Sequence, residues 1–439
     1  MGGPIPFGPA QSMRSRPIER HRPTLPATVV GGRSRPYMNG ASATPAVERN
    51  HGIVRTAFVS TYPPRRCGIA TFTESLAAAT ESREIVALHP VEQTERYPLE
   101  VHHRIRRDVG SDYASVARSL AACVDVVSVQ HEYGIWGGDD GSHVIDFVDA
   151  LDVPAVATLH TVLRAPTARQ RAILTKLVDT VSATVVMSRS AAHLLTTAYG
   201  VDPGRLDIIP HGVPDLPLVD ANLLKAKLEL TGRRVLLSFG LLGPGKGYEL
   251  AIEALPAVVA RHPDVCYVIV GATHPDLLRH EGEAYRTSLA AQVKALGLRD
   301  HVRFVDRFVG RVELTRWLEA ADVFVTPYPN LDQIVSGTLS YAMGAGRAIV
   351  STPYAYAAEL LADGRGTLVP PGSPARFADA LNEVLGDDVL RGRLGRAAYA
   401  HSRGMVWSEV AADYRRLFDR VSTQPPIAIS PMTLAAVNA

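Results

Sequence analysis

The chain has 439 residues, with 46 basic and 44 acidic side chains, 46% hydrophobic and 21% charged. Such a composition can bury a sizeable core and excludes a disordered polyampholyte, collagen and a coiled coil. At about 150 residues per domain the length suggests two or three domains. Cys67, Cys123 and Cys266 are odd in number and far apart, which argues against a disulfide framework or a structural zinc site and for a reducing cytoplasm. No uninterrupted apolar run reaches the roughly 18 residues of a membrane span, so the protein is expected to be cytoplasmic and soluble, or at most peripheral to a membrane.

Residues 1–50 hold seven arginines against Glu19 and Glu48, with eight prolines, six glycines and no apolar periodicity. They read as a disordered basic tail, either a solvated extension or a segment drawn to an anionic membrane or polyanion. The near-neutral remainder gives no sign of nucleic-acid binding. From Val54 onward short β-branched runs alternate with longer amphipathic stretches, the pattern of parallel sheets covered by helices. Strands are predicted at 55–60, 84–88, 124–130, 155–159, 184–187 and 207–210, then at 235–239, 266–270, 302–305, 323–326 and 348–351. Residues 213–233 read as a linker with a short helix. The fold class is therefore α/β, with doubly wound domains over 51–215 and 216–405, a helix over 406–421 and a loose tail over 422–439.

Ligands of open parallel sheets bind at the carboxyl ends of the strands, so the segments just past them carry the functional expectation. After the first predicted strand, Gly68 precedes a helix and offers its backbone to a ligand. After the third comes His131-Glu-Tyr-Gly-Ile-Trp136, and after the fourth His160. The second half opens with Ser238-Phe-Gly-Leu-Leu-Gly-Pro-Gly-Lys-Gly247 between a strand and a helical run. Flexible backbone at a helix start, with one of only five lysines in the chain, suits a phosphate. Ser336, Gly337 and Thr338 begin another helix, whose inner face is Leu339, Ala342 and Met343. Its amides and two outward hydroxyls could meet the same diphosphate, or Ser336 and Thr338 could simply cap it.

The order of these segments resembles the family 4 glycosyltransferases, retaining enzymes of the GT-B type with two Rossmann-like domains facing a central cleft. The likeness runs from about Val54 to Phe418. It is carried by the Gly68 loop, His131-Glu-Tyr-Gly, Thr158-Leu-His160, Ile209-Pro-His-Gly212, Phe239-Gly-x-x-x-x-x-Lys-Gly247, Val302-Arg-Phe-Val305, Ala321-Asp-Val-Phe, Ala342-Met-Gly-Ala-Gly346 and Leu368-Val-Pro-Pro-Gly372. It implies transfer of a hexose from a nucleotide-diphosphate sugar, held by the second domain, to a carbohydrate or glycolipid hydroxyl held by the first. Neither a metal nor a resident cofactor is expected, because Lys246 and the amides of 336–338 supply the positive potential a departing diphosphate needs. In the family the leaving phosphate oxygen is thought to take the acceptor's proton on the same face, which retains configuration and needs no protein nucleophile.

By the same resemblance His160 positions the donor sugar, and the donor site comprises Gly68, Gly240, Lys246, Asp306, Phe308, Ser336, Gly337, Thr338 and Tyr341. His131, Glu132 and Trp136 face the acceptor, while His211 shapes the hinge. The chain departs from the family pattern where two glutamates usually stand seven residues apart. Gln333 keeps a sugar hydroxyl partner without charge, and Tyr341 offers one hydroxyl where a carboxylate would grip a ribose. Leu241 stands where an arginine usually accompanies the lysine. The form Gln-x-x-Ser-Gly-Thr-Leu-x-Tyr-Ala resembles a subgroup of the family. A non-catalytic sugar-nucleotide-binding protein is the alternative these departures raise. A sugar-nucleotide epimerase is disfavoured, since no acid/base carboxylate pair marks the cleft.

Overall fold

A computed structural model describes residues 54–92 and 95–423. The basic segment 1–50, and the tail 422–439 beyond its first two residues, lie outside the described residues.

Two wholly parallel sheets organise the chain. The first contains β1 (Thr56–Ser60), β2 (Glu84–His89), β3 (Val101–Arg106), β4 (Val126–His131), β5 (Ala155–Leu159), β6 (Ala183–Val186) and β7 (Leu206–Ile208), in the order β3-β2-β1-β4-β5-β6-β7. The second contains β8 (Arg234–Phe239), β9 (Val265–Val270), β10 (Val302–Val305), β11 (Val323–Thr326), β12 (Ala348–Ser351) and β13 (Thr367–Leu368), in the order β10-β9-β8-β11-β12-β13. Parallel pairing requires crossovers, and strands covered on both faces are apolar along most of their length. Every residue of β1, β4, β5, β9, β11 and β12 is accordingly buried. Two strands escape the sequence pattern: β3 is an edge strand bearing His102, His103, Arg104 and Arg106, and β13 is two residues long.

Strand order reverses between β1 and β4, and again between β8 and β11. The loops leaving those four strands, beginning at Thr61, Glu132, Gly240 and Pro327, therefore border the crevices where such sheets bind ligands.

The chain passes between the lobes twice, and the two passages are zipped together. Val213 N–H donates to the Met405 carbonyl at 2.8 Å, and Trp407 N–H to the Val213 carbonyl at 3.0 Å. The returning helix, Trp407–Ser422, lays Val410, Tyr414, Leu417, Phe418 and Val421 on the first sheet beside Phe58, Phe72 and Ile85. Its Tyr414 hydroxyl is 3.0 Å from Thr158 Oγ1. On the outgoing side the short helix Asn222–Lys225 is fixed to the second sheet by a buried Lys225–Asp322 ion pair at 2.8 Å.

Further contacts join the lobes away from the hinge. Glu359, on helix Ala355–Leu360 of the second lobe, accepts the N–H groups of Arg189 and Ser190 at 2.9 Å each and the Ser190 hydroxyl at 2.8 Å. Its carboxylate thus satisfies the first amides of helix Arg189–Tyr199 in the other lobe, where negative charge is favoured. Ser188 accepts Ala191 N–H within that helix and donates to the Ile334 carbonyl at 2.9 Å. Arg164 pairs with Asp332 at 2.8 Å and Arg311 with Glu74 at 2.9 Å.

Candidate active site

On the second lobe, the chain leaves β8 through Gly240 (φ 133°) and enters helix Tyr248–Arg261 through Gly247 (φ 64°), conformations that glycine adopts without strain. A Cβ at Gly247 would lie 2.1 Å from the Pro327 carbonyl oxygen, so the loops after β8 and β11 touch only because that side chain is missing. Their contact sets the Lys246 ammonium 4.4 Å from the centre of the Tyr328 ring, a cation–π arrangement. The Tyr328 hydroxyl is in turn 3.0 Å from Thr338 Oγ1. A Cβ at Gly240 would meet the Thr338 methyl at 3.5 Å. The lysine loop and the start of helix Gly337–Gly344 therefore form one surface.

That helix begins where it does because extended Ser336 caps it, its Oγ accepting Leu339 N–H at 3.3 Å. Leu339, Ala342 and Met343 are fully buried and anchor it. Among the described residues the N–H groups of Gly337 and Thr338 have no partner, leaving the positive end of a helix beside Lys246. The hydroxyls differ from expectation. Ser336 is buried in its capping role, and Thr338 Oγ1 is engaged by Tyr328 and Ser336, so the surface offers amides and an ammonium instead.

On the first lobe, β4 and β5 end side by side at Gln130-His131 and Leu159-His160. The buried Gln130 carboxamide donates to Ser128 Oγ at 3.1 Å, which turns its Oε1 toward His160 Nε2 at 2.9 Å. His160 Nε2 therefore carries the ring proton, leaving Nδ1 as acceptor. Burial, with smaller contributions from His211 and His131, holds its pKa down to about 3. Phe72, on helix Gly68–Thr80, stands edge-on to His160 at 4.9 Å, to His211 at 5.1 Å and to Trp407 at 5.3 Å. His211 also abuts Gly337, since a Cβ there would lie 2.7 Å from its Nε2. The aromatic cluster thus carries the first-lobe histidines to the helix start of the second lobe. Open space beside Gly68 leaves room against its first turn.

Several expected residues are placed otherwise. Trp136 is not a platform for a sugar ring: it is 3% exposed, packs on Tyr113 and Phe147, and donates its indole N–H to the Gln130 carbonyl at 3.0 Å. Nor does His131 present itself to an acceptor, for it is fully buried with neither ring nitrogen bonded, and burial lowers its pKa to about 4. The Glu132 carboxylate is engaged locally, accepting from the Thr161 hydroxyl and from Gly134 N–H at 3.4 Å. Tyr341 offers no free hydroxyl for a ribose; it is 7% exposed between His211 and Phe239, and burial pushes its pKa up. Tertiary packing turns Trp136, His131 and Tyr341 inward, while Glu132 is held by its own loop and by Thr161.

Gln333 remains half-buried at the crevice, with its amide donating to the Val335 carbonyl at 2.8 Å. Asp306 is ion-paired with Arg286, and Phe308 is exposed on the loop after β10. The structure adds Tyr328 and Phe72 to the site. Tyr328 lies two residues past β11, a position that the strand-end rule could have flagged. Phe72 has no such signal, being one of several apolar residues on a helix.

Two parallel-sheet lobes are thus joined across their crevices, with a lysine and free helix amides on one side and histidines on the other. Residues 68–215 match the family described as Glycosyltransferase Family 4, and residues 233–387 the one described as Glycosyl transferases group 1. The chain belongs to the family 4 glycosyltransferases. It is 33% identical over 279 residues to a phosphatidyl-myo-inositol mannosyltransferase of Mycobacterium tuberculosis, covering 61% of this chain and 68% of that protein. It is 29% identical over 297 residues to a D-inositol 3-phosphate glycosyltransferase of Jonesia denitrificans, covering 62% and 67% respectively. The crystal structure of Anabaena HepE in complex with UDP superposes with a TM-score of 0.69 at 17% identity, over 83% of this chain and all of that one. WaaG, a glycosyltransferase involved in lipopolysaccharide biosynthesis, does so with a TM-score of 0.61 at 18% identity, over 83% of this chain and 99% of that one. At these identities the two structures speak to the fold alone.

Proposed function

We propose that this glycosyltransferase moves a hexose, with retention of configuration and without a metal, from a nucleotide-diphosphate sugar to a hydroxyl of a carbohydrate or lipid-linked acceptor. The observation that carries this reading is the convergence of Gly240, Lys246 and the free amides of Gly337 and Thr338 on one surface. Cleavage of a glycosyl phosphate bond leaves negative charge on the diphosphate. Fixed donors already aimed at that charge lower the barrier without reorganising. The leaving oxygen then takes the acceptor's proton on the same face, so no protein nucleophile is required. His160, held neutral and oriented by Gln130, positions the donor sugar, and Gln333 meets one of its hydroxyls. The inositol-containing names of the relatives support a polyol or its lipid as acceptor. Three unpaired cysteines favour a cytoplasmic site, and no helix among the described residues is long and apolar enough to cross a membrane.

The test is nucleotide release from UDP-glucose and GDP-mannose, with and without a panel of inositol and sugar acceptors. Acceptor-dependent release that persists in EDTA, with an α-linked product by NMR, is the expected result. Lys246→Ala should weaken donor binding by roughly 10- to 100-fold, the worth of a charge-assisted contact of about 1.5–3 kcal/mol. A β-linked product refutes retention, and undiminished donor affinity in Lys246→Ala refutes the phosphate site.

A further inference from the structure

The residue that shapes the hinge also faces the surface just assigned to the diphosphate, and its role there rests on that assignment. The His211 ring is held by Phe72 at 5.1 Å, Tyr341 at 6.0 Å and Trp407 at 6.0 Å, with its Nε2 against Gly337. Nδ1 lies 2.8 Å from the Gly212 carbonyl oxygen, which makes Nδ1 the protonated nitrogen of the neutral ring. Nε2 then carries a lone pair and has no hydrogen-bond partner among the described residues, beside the free amides of Gly337 and Thr338. A lone pair is compatible with the positive end of a helix, but it opposes an anion docked there.

We propose that His211 takes up a proton when a nucleotide-diphosphate sugar docks on the Gly337 helix start, becoming the second cation of the site with Nδ1–H on the Gly212 carbonyl and Nε2–H on a diphosphate oxygen. The proton comes from solvent, the ring passes from neutral to +1, and no covalent bond to carbon or phosphorus changes. Charge balance favours this step. A diester diphosphate carries two negative charges, whereas Lys246 is the only charged residue in the loop 240–247. The Nδ1 contact already satisfies one of the two N–H groups of an imidazolium. Burial holds the ring near a pKa of about 4 when it faces protein alone. At an effective dielectric of about 20, each unit of opposite charge at about 4 Å shifts a proton equilibrium roughly a thousandfold, enough to bring that ring into the neutral range.

The groups facing the ring do not compete for the role. Phe72 on helix Gly68–Thr80 and Trp407 on the returning helix do not titrate. Tyr341, on the Gly337 helix, is a buried phenol with Glu74 and Arg311 beyond it, and those two are paired with each other. His160, at the end of β5, has its Nε2 proton on Gln130, and burial together with the neighbouring His211 and His131 holds its ring lower still, at about 3. Lys246 acts from the far side of Thr338, through Tyr328.

Calorimetric titration with UDP-glucose and GDP-mannose, without acceptor, tests this between pH 5.5 and 8 in buffers of differing protonation enthalpy. Both probes carry a diester diphosphate that does not itself titrate in this window. For the probe that binds, close to one proton should be taken up at the acid end, with the dissociation constant rising by up to tenfold per pH unit. His211→Asn should bind with no uptake and a flat profile, whereas His160→Gln should keep the uptake. A flat wild-type profile, or uptake that persists in His211→Asn, overturns the inference while leaving the phosphate site intact if Lys246→Ala still weakens binding. Unaltered affinity in Lys246→Ala overturns both. If His211→Asn fails to fold, histidine-labelled wild-type protein serves instead: a His211 ring whose nitrogen shifts stay neutral with the sugar nucleotide bound at pH 6 also refutes it.

Discussion

Replacing Glu359 by alanine tests whether the lobes are held by the carboxylate that reaches from one into the other. The change removes three hydrogen bonds at 2.8–2.9 Å, two of them to the first amides of helix Arg189–Tyr199. Each bond to a charged group has a gross worth of about 1.5–3 kcal/mol, but the freed amides and hydroxyl regain water. Losses of N-cap interactions, at about 0.5–2 kcal/mol, set the better scale, and with the Ser190 hydroxyl added the net cost comes to about 2 kcal/mol. Glu359→Gln keeps the shape and loses the charge, for roughly half that. At about 2–4 °C per kcal/mol for a lobe of this size, thermal unfolding should fall by about 4–8 °C in the alanine variant and about 2–4 °C in the glutamine variant. Small-angle scattering should report a wider lobe separation for both. An alanine variant that melts within about 1 °C of the wild type, with unchanged scattering, would show that this contact does not hold the lobes.

The buried groups carry three further expectations. His131, His160 and His211 are held neutral at about 4, 3 and 4, first by burial, whereas an unfolded chain protonates them below about pH 6.5. Their contribution is therefore complete above pH 6.5 and drains as pH falls toward 4, approaching about 4 kcal/mol per pH unit for the three together; denaturant titrations from pH 8 to 5 measure it, and a level profile contradicts it. Gly337→Ala drives a Cβ to 2.7 Å from His211 Nε2, a ring backed by Phe72 and Trp407, and should cost about 1–3 kcal/mol by thermal melting. Most of that loss should return in Gly337→Ala/His211→Ala, and a double variant no better than the single one argues against the contact. Trp136→Phe should destabilise the first lobe by about 1–2 kcal/mol, through the lost bond to the Gln130 carbonyl, with acceptor KM unchanged; a raised KM at full stability would return Trp136 to the acceptor site.

Local chemistry makes part of this protein legible in its sequence. The glycine turns at 240 and 247, and the capping serine of the helix start, are local conformations that spacing reveals, whereas the contacts of that loop with Pro327, Tyr328 and Thr338 are not. Strands buried on both faces announce themselves as apolar runs, whereas the edge strand β3, with histidine or arginine at four of its six positions, does not. What could not be read was direction over long range. His131 is the last residue of β4 and Trp136 lies five residues beyond it, yet the first is fully buried in the lobe and Tyr113 and Phe147 enclose the second. Tyr341 replaces a carboxylate in the linear pattern, but the other lobe closes over its hydroxyl. The Glu359 bridge joins residues 170 positions apart and leaves no trace in either segment alone.

The helix Trp407–Ser422 has a consequence for how the molecule is made. It completes the hydrophobic face of the first lobe, using residues synthesised only after the second lobe. Until that helix emerges, Phe58, Phe72 and Ile85 wait without the aromatic cover that Tyr414 and Phe418 supply. The earlier-born half must therefore survive, incompletely clad, while its successor forms, and a nonsense codon near position 405 would harm the distant amino-terminal half more than the neighbouring one.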